Sequence, residues 1–252
     1  MTEPIRVAVA GHRGKVGSVL AAALAVELGI EYVGGVGVDD DLAGFLRDKK
    51  PVALVDFTRP SDGLRNALLA VDAGAAPVVG TTGLAAAGID ELEAACVAKG
   101  VGGIVAPNFA VGAVLMMHLA EIAAPHFDAA EIIELHHATK LDAPSGTALS
   151  TARRLAAKRG AARFAYRKAE KETLAGTRGG VEGGVGIHSV RLPGFVADQE
   201  VLFGLPGQTL TIAHRTTSRE AYVPGVVLAI RKVTSEPKFY RGLDQLLGLG
   251  GK

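Results

Sequence analysis

Short runs rich in Val and Ala alternate with helix-like segments through the first part of the chain. These apolar runs restrict the fold more than any other feature, because they are typical of strands that are buried on both faces of a sheet. The predicted strands lie at residues 5–10, 32–38, 51–57, 76–79 and 101–106. Strands that alternate with helices favour βαβ units. We therefore predict an α/β fold with a Rossmann-type, doubly wound parallel sheet.

The pattern changes after Asn108 and indicates a second, α+β domain. Predicted helices at 111–123 and up to about Lys158 flank a predicted strand at 130–136. Later strands, separated by Pro-Gly pairs, favour a mixed or antiparallel sheet; they lie at 186–191, 200–203 and 209–214.

The domain boundaries follow from this change of pattern. We expect a dinucleotide-binding domain over 1–108 and 220–252, to which a helix at 223–233 returns, and a second domain over 109–219. Residues 159–186 are rich in Lys, Arg and Gly with little periodicity, and this segment is a predicted mobile loop.

Composition excludes several classes of function. The 252 residues carry 27 Lys and Arg against 26 Asp and Glu, a net charge of +1, so no overall field favours nucleic acid or anionic lipid. The single cysteine cannot form an internal disulfide, nothing at the start resembles a signal peptide, and the longest apolar stretch is too short to span a bilayer. We expect a soluble cytoplasmic protein with neither a nucleic-acid nor a membrane partner.

A glycine-rich turn follows the first predicted strand and opens a helix. Gly11 permits a tight turn, Gly14 lets the backbone approach a pyrophosphate, and Gly17 lets the helix pack on the strand. Amide N–H groups of the first helical turn would then face the phosphates. The predicted cofactor-binding residues here are Gly11, His12, Arg13, Gly14, Lys15, Val16 and Gly17. The alternative is a helix start that simply needs small residues.

An acidic side chain after the second strand is expected to bind the adenosine ribose. Asp39 is the best candidate, with Asp40 and Asp41 behind it. Three carboxylates would repel a 2′-phosphate, which favours NADH, although Arg13 and Lys15 could offset this repulsion and leave NADPH possible. The alternative for Arg13 and Lys15 is that they are simply two solvated basic residues in the first turn of a helix.

Two further loops follow later strands and are predicted to contact the cofactor. In an open parallel sheet the ligand lies beyond the carboxyl ends of the strands, where hydroxyl and amide groups can bind the nicotinamide half. The residues concerned are Gly80, Thr81 and Thr82 in one loop and Ala106, Pro107, Asn108 and Phe109 in the other. As ordinary turn residues they would need no ligand.

The segment from Glu131 to Thr147 contains two histidines, a lysine and a Ser-Gly-Thr turn. His136 can exchange a proton near neutral pH, and Lys140 adds a cation. Gly146 and Thr147 begin a helix, where N–H groups bind anions. The segment predicts a carboxylate-bearing substrate; the alternative is a sheet histidine beside solvated neighbours. Adjacent histidines on a strand point to opposite faces, so we expect no metal site.

Residues 134–148, E-L-H-H-x-x-K-x-D-A-P-S-G-T-A, resemble the signature of the 4-hydroxy-tetrahydrodipicolinate reductase (dihydrodipicolinate reductase) family. The resemblance covers nearly the whole chain and includes the glycine turn and the segments at 55–58, 80–83, 106–109 and 221–226. It implies hydride transfer from NAD(P)H to C4 of a cyclic imine dicarboxylate, in the bacterial diaminopimelate and lysine pathway.

The resemblance also implies roles for single residues. His136 matches the general acid and Lys140 the second catalytic group, whereas the residues that would hold a carboxylate are His137, Ser145, Gly146 and Thr147. The family's acidic pattern after the second strand is not matched closely, so the ribose acid could lie one or two positions from Asp39. A homotetramer through the sheet of the second domain is implied as well.

Two other functions stay open at this point. A related dehydrogenase of the same fold, such as one acting on aspartate, would need the nucleotide site but not the His-His-x-x-Lys and Ser-Gly-Thr segment. A nucleotide-sensing protein without chemistry is disfavoured because each candidate proton donor and anion ligand is present.

Overall fold

A computed structural model describes residues 3–249 and divides the chain into two compact units. One unit comprises the residues up to Val111 together with those from Arg219 onward, and the other spans Gly112–Ser218. In chain order the strands and helices are β1 (Ile5–Ala10), α1 (Gly17–Leu24), β2 (Ile30–Val36), α2 (Leu42–Lys49), β3 (Ala53–Asp56), α3 (Pro60–Asp72), β4 (Ala76–Val79), α4 (Ala86–Lys99), β5 (Gly103–Val105), α5 (Val111–Ala123), β6 (Ala129–His136), α6 (Gly146–Arg159), β7 (Gly180–Glu182), β8 (Val185–Arg191), β9 (Ala197–Leu205), β10 (Gln208–His214), α7 (Val223–Ser235), β11 (Phe239–Arg241) and α8 (Leu243–Leu246).

The first unit contains a six-stranded, wholly parallel sheet. Its strand order is β11-β5-β4-β3-β1-β2, so the chain reverses its direction across the sheet between β2 and β3. Such a reversal places a crevice beyond the carboxyl ends of β1 and β3, where ligands of doubly wound folds bind. The predicted Rossmann-type sheet is confirmed.

The central strands of this sheet are buried on both faces. Val7 to Ala10 of β1 are fully buried, as are Ala53 and Val55 of β3. Helices cover both faces of a parallel sheet, so its strands carry continuous apolar runs rather than alternating ones. Each fully buried Val or Leu contributes about 1.5–3 kcal/mol relative to an exposed one.

The second unit contains a five-stranded mixed sheet in the order β10-β9-β6-β8-β7. Only the β6–β8 pair is parallel within the described residues, and the other pairs are antiparallel. Strand β6 alternates between buried and partly exposed side chains. Its buried face packs in one core with α5 and α6, which includes Ile132, Leu155 and Phe203. The predicted mixed sheet is confirmed.

Some elements differ from the sequence predictions. The short helix α2 was not predicted; Asp41 begins it by accepting a hydrogen bond from the Gly44 amide at 3.1 Å. Strand β2 ends at Val36 rather than Val38, because the chain turns where Asp40 accepts a hydrogen bond from the Gly37 amide. Within the predicted loop at 159–186, residues 180–182 form β7 and β8 begins at Val185.

Two short elements in the last part of the described chain, β11 and α8, were also not predicted. None of the helices within residues 3–249 is both long enough and apolar enough to cross a membrane.

Candidate active site

The glycine turn lies between β1 and α1, as the sequence predicts, and its glycines differ in what surrounds them. Gly11 has φ +82°, and a Cβ there would lie 2.6 Å from the carbonyl oxygen of Phe57. A Cβ on Gly17 would overlap the carbonyl of Gly11, whereas one on Gly14 would meet only that carbonyl oxygen, at 3.1 Å. Gly11 and Gly17 therefore permit the turn itself, and Gly14 leaves its outer side open for the close approach that a pyrophosphate needs.

The three aspartates after β2 have different surroundings. Asp40 accepts hydrogen bonds from the Gly37 amide at 2.6 Å and from Arg13 Nη2 at 3.1 Å, and these contacts lower its pKa, the backbone hydrogen bond having the largest effect. Asp41 caps α2. Asp39 is exposed, and its carboxylate has no hydrogen bond or ion pair within residues 3–249. Of the three, Asp39 is therefore the carboxylate left available to a ligand.

A buried carboxylate, Asp56, organises the residues that follow β3 and β4. Its Oδ1 accepts hydrogen bonds from Thr81 Oγ1 at 2.5 Å and Thr58 Oγ1 at 2.8 Å, and its Oδ2 accepts one from Asn66 Nδ2 at 2.9 Å. Thr81 Oγ1 in turn accepts a hydrogen bond from the Thr58 amide at 2.9 Å. The Thr81 hydroxyl thus serves the protein's own network, and the exposed Thr82 has the hydroxyl that can reach a ligand.

The loop after β5 is held in a similar way. Asn108 Oδ1 accepts a hydrogen bond from the Ala110 amide at 2.8 Å, which leaves its Nδ2 group for a ligand. Phe109 is buried, with its ring 5.8 Å from that of Phe57. All strands of this sheet are parallel, so the glycine turn, the Thr81 loop and the Asn108 loop lie at one edge of it. The structure therefore brings the three predicted cofactor-binding segments to one edge of the sheet.

His136 ends strand β6 in the second unit, and its Nδ1 contacts Glu134 Oε2. Glu134 is fully buried, and Arg191 forms a two-point ion pair with it through Nη1 at 2.9 Å and Nη2 at 2.7 Å. The Ser145 amide donates to Glu134 Oε1 at 3.2 Å. His136 and the start of α6 therefore share one buried carboxylate.

Burial and the contact between His136 and Glu134 shift the pKa of each of these groups in opposite directions. Burial lowers the pKa of His136 below its ordinary value, while the contact with Glu134 opposes that shift. Burial by itself would raise the pKa of Glu134, but hydrogen bonds from Arg191, Ser189 and His136 outweigh it and lower the pKa. Glu134 is accordingly ionised near neutral pH, so Nδ1 of His136 carries a proton and Nε2 is the nitrogen that can exchange one.

The predicted anion site lies at the start of α6. Ser145 caps this helix by accepting a hydrogen bond from the Ala148 amide at 3.1 Å, and a Cβ on Gly146 would meet nothing within 4 Å. Lys140 Nζ is 2.7 Å from Asp142 Oδ1, and Thr139 Oγ1 is 2.9 Å from His137 Nδ1. Open space at a helix N-terminus is suited to a carboxylate, and the charge of Lys140 acts on His136, whose pKa it helps to lower.

Sequence reasoning missed Glu134, Arg191 and Asp56 as parts of these sites. Glu134 had a signal, because residues two apart on a strand share a face and His136 is two residues on. Arg191 had none, since it lies 57 residues from Glu134 in sequence. Within residues 3–249 no group of three or more His, Cys, Asp and Glu side chains is arranged to hold a metal ion.

The first unit has a parallel, doubly wound sheet with a glycine turn after its first strand, and the second unit has a histidine held by a buried carboxylate; both are features of oxidoreductases that use a nicotinamide dinucleotide. Family models described as dihydrodipicolinate reductase, N-terminus and C-terminus, match residues 5–109 and 112–247. The chain belongs to the dihydrodipicolinate reductase family, as its motifs predict.

Individual relatives agree over nearly the full length. A protein of Moorella thermoacetica named 4-hydroxy-tetrahydrodipicolinate reductase is 47% identical, with 98% of this chain and 99% of the relative covered. A Mycolicibacterium smegmatis protein of the same name is 45% identical, with 97% and 100% covered.

Solved structures that resemble this chain include a dihydrodipicolinate reductase and more distant proteins of the same fold. The dipicolinate-bound dihydrodipicolinate reductase of Paenisporosarcina sp. TG-14 is 36% identical with a TM-score of 0.85, and the match covers 96% of this chain and 99% of the other. An amine dehydrogenase from Mycobacterium smegmatis, at 15% identity and a TM-score of 0.67 with 98% and 97% covered, shares the fold alone. The aspartate-type dehydrogenase alternative is not favoured.

Proposed function

We propose that this chain catalyses the NAD(P)H-dependent reduction of 4-hydroxy-tetrahydrodipicolinate, through its dehydrated cyclic imine, to tetrahydrodipicolinate in diaminopimelate and lysine biosynthesis. The observation that carries the proposal is the placement of His136 and the start of α6 on one buried carboxylate, Glu134. A proton donor is thereby held beside a site for carboxylates. The names of the relatives support the same substrate.

The residues of the second unit divide the work between proton transfer and binding. His136 donates a proton from Nε2 to the carbon next to the reduced position, and Lys140 polarises or protonates the substrate. One substrate carboxylate binds at the start of α6, where it contacts His137, Ser145, Gly146 and Thr147. A dipicolinate-bound relative supports a planar dicarboxylate in this role.

The first unit is proposed to bind the dinucleotide. The glycine turn at 11–17 would hold the pyrophosphate, and the loops at 80–82 and 106–109 the nicotinamide half. The bound cofactor supplies the hydride. We propose NADH as the preferred form, because Asp39 has a free carboxylate for the ribose and Asp40 and Asp41 add negative charge nearby; NADPH stays possible because Arg13 lies against Asp40.

We also propose a homotetramer that forms through the second sheet. One face of this sheet packs on α5 and α6, while Ile133, Leu135 and Leu202 lie partly exposed on strands of the other face. Partly exposed apolar side chains on a sheet face are suited to an interface between copies of the chain. The cytoplasmic location and the lack of nucleic-acid and membrane partners stay predictions.

The test is NADH oxidation by the purified protein, with substrate made in situ from pyruvate and aspartate semialdehyde by the preceding synthase, and NADPH in parallel. We expect turnover with both cofactors and a higher kcat/KM with NADH. Calorimetry with pyridine-2,6-dicarboxylate is expected to show binding only after NADH is added. A folded protein that binds NADH but turns over neither cofactor would contradict the proposal and favour a related dehydrogenase.

A further inference from the structure

We propose that Glu134 and Arg191 are positioning residues of the second unit. They hold three parts in one fixed arrangement: the proton donor His136, the loop at 137–145 that contains Lys140 (the lysine loop), and the start of α6. The inference rests on the proposed function, in which His136 donates the proton. Neither residue needs to touch the substrate, because each acts through a group that does.

Both oxygens of Glu134 are used in the same manner. Oε1 accepts hydrogen bonds from Arg191 Nη2 and from the Ser145 amide, and Oε2 accepts one from Arg191 Nη1 and contacts His136 Nδ1. Each oxygen thus joins the guanidinium to one part of the substrate site. A fully buried carboxylate cannot shift without leaving these donors unpaired, because solvent does not reach the site to replace it.

Arg191 extends the arrangement to the lysine loop. Its Nη2 also donates to the carbonyl oxygen of Asp142 at 2.7 Å, and the side chain of Asp142 pairs with Lys140. A guanidinium has donors in a fixed planar fork, so it can hold the carboxylate and the loop carbonyl at once. A lysine at this position would keep the positive charge, but it lacks the planar fork of donors that reaches the carboxylate and the loop carbonyl together.

The pair also sets the protonation of the imidazole. The charged groups that face His136 are Glu134 on its own strand, Arg191 on β8 and Lys140 in the following loop. Only Glu134 among these stabilises the imidazolium, because the other two are cations. Replacing Glu134 by a neutral residue would leave the cations unopposed and lower the pKa of His136.

The first experiment compares the pH dependence of kcat/KM for the wild type, Glu134→Gln and Glu134→Asp. A general acid must be protonated to act, so activity falls as pH rises through its pKa. We call this falling part of the pH profile the basic limb. We expect Glu134→Gln to move the basic limb to lower pH by about one unit and to reduce turnover about tenfold or more. Glu134→Asp keeps the charge, so its limb should return to within a few tenths of a pH unit of the wild type.

The matched control is Glu131→Gln. Glu131 lies on the same strand and likewise contacts an arginine and a histidine, Arg178 at 2.6 Å and His188 at 2.7 Å, but neither is placed in the substrate site. The pH limb of this variant should stay at the wild-type position.

A second readout does not depend on activity. NMR titration of the imidazole signals in the protein without substrate, with His136 assigned by its loss in His136→Gln, should show the same downward shift in Glu134→Gln. In the presence of NADH, Arg191→Lys should raise the Kd of pyridine-2,6-dicarboxylate about tenfold, because the loop and helix lose their common anchor. Should Glu134→Gln fail to fold, Arg191→Lys carries the test, and an unchanged Kd in folded Arg191→Lys would then overturn the inference.

An unchanged limb and an unchanged His136 titration in folded Glu134→Gln would overturn the inference, as would an equal shift in Glu131→Gln. Inactivity of the wild type would instead contradict the proposed function, and the NMR titration would still decide whether Glu134 controls the imidazole.

Discussion

Each unit of the molecule contains a buried carboxylate at or near the end of a strand, and the two differ in their partners. Asp56 in the first unit accepts hydrogen bonds from Thr58, Thr81 and Asn66, all neutral. Glu134 in the second unit contacts Arg191 and His136, and the latter can gain or lose a proton. Neutral donors fix a geometry at any pH near neutrality, whereas a titrating partner links the geometry to proton transfer.

The difference matches what each unit is proposed to do. Binding a dinucleotide requires loops of fixed shape, and Asp56 holds the Thr58 and Thr81 loops together without a charged partner. Reducing an imine requires a proton as well as binding, and Glu134 holds the group that would deliver it. A buried charge is costly unless hydrogen bonds compensate it, and both carboxylates meet that requirement by different means.

The strongest test of this comparison is His136→Gln. If the second unit supplies the proton, turnover should fall by about 10²- to 10⁴-fold, while the Kd for NADH measured by calorimetry should not change. His126→Gln, at a histidine outside both sites, is the control. Near-normal turnover in His136→Gln would remove this residue as the acid.

Asp56→Ala tests the other half of the comparison. The change leaves the hydroxyl and amide donors of Thr58, Thr81 and Asn66 without their acceptor, so the free energy of unfolding should fall by about 2–4 kcal/mol. Urea unfolding measures this, and NADH binding should weaken because the loops lose their shape. Asp72→Ala, on the exposed end of α3, should leave both quantities unchanged. Loss of NADH binding without loss of stability would point to a direct contact instead.

Lys140→Ala is expected to affect binding and turnover together. Removing the cation proposed to act on the substrate should raise the Kd of pyridine-2,6-dicarboxylate about tenfold or more, in the range for loss of a hydrogen bond to a charged group. Calorimetry in the presence of NADH gives the value, and Lys158→Ala, in the last turn of α6, is the control. An unaltered Kd would show that Lys140 is not the anion partner.

The smallest effect is expected for Asp39→Ala. Loss of a carboxylate that binds ribose hydroxyls should weaken NADH binding several-fold, which corresponds to about 1 kcal/mol, and should weaken NADPH binding less. The ratio of the two kcat/KM values is the measurement, with Asp48→Ala on α2 as the control. Equal effects on both cofactors would mean that another acid binds the ribose.

The sequence alone determined the fold class and most candidate residues. The apolar runs of β1 and β3 and the glycines of the turn act over a few residues, so their physical basis is visible in local patterns. The His-Lys segment likewise has its candidate groups within one stretch, which is why His136, Lys140 and Gly146 could be predicted as site residues. The contact between Glu134 and His136 was not predicted, although the two-residue repeat of a strand places both side chains on one face.

Only the tertiary structure decided which of these groups are engaged with one another. Asp39, Asp40 and Asp41 are equivalent in sequence, but the turn after β2 directs Asp40 to the Gly37 amide and Arg13. Arg191 reaches Glu134 because β8 pairs with β6, a contact across 57 residues that no local pattern encodes. Long-range contacts depend on how strands pair, and strand pairing is a property of the whole sheet.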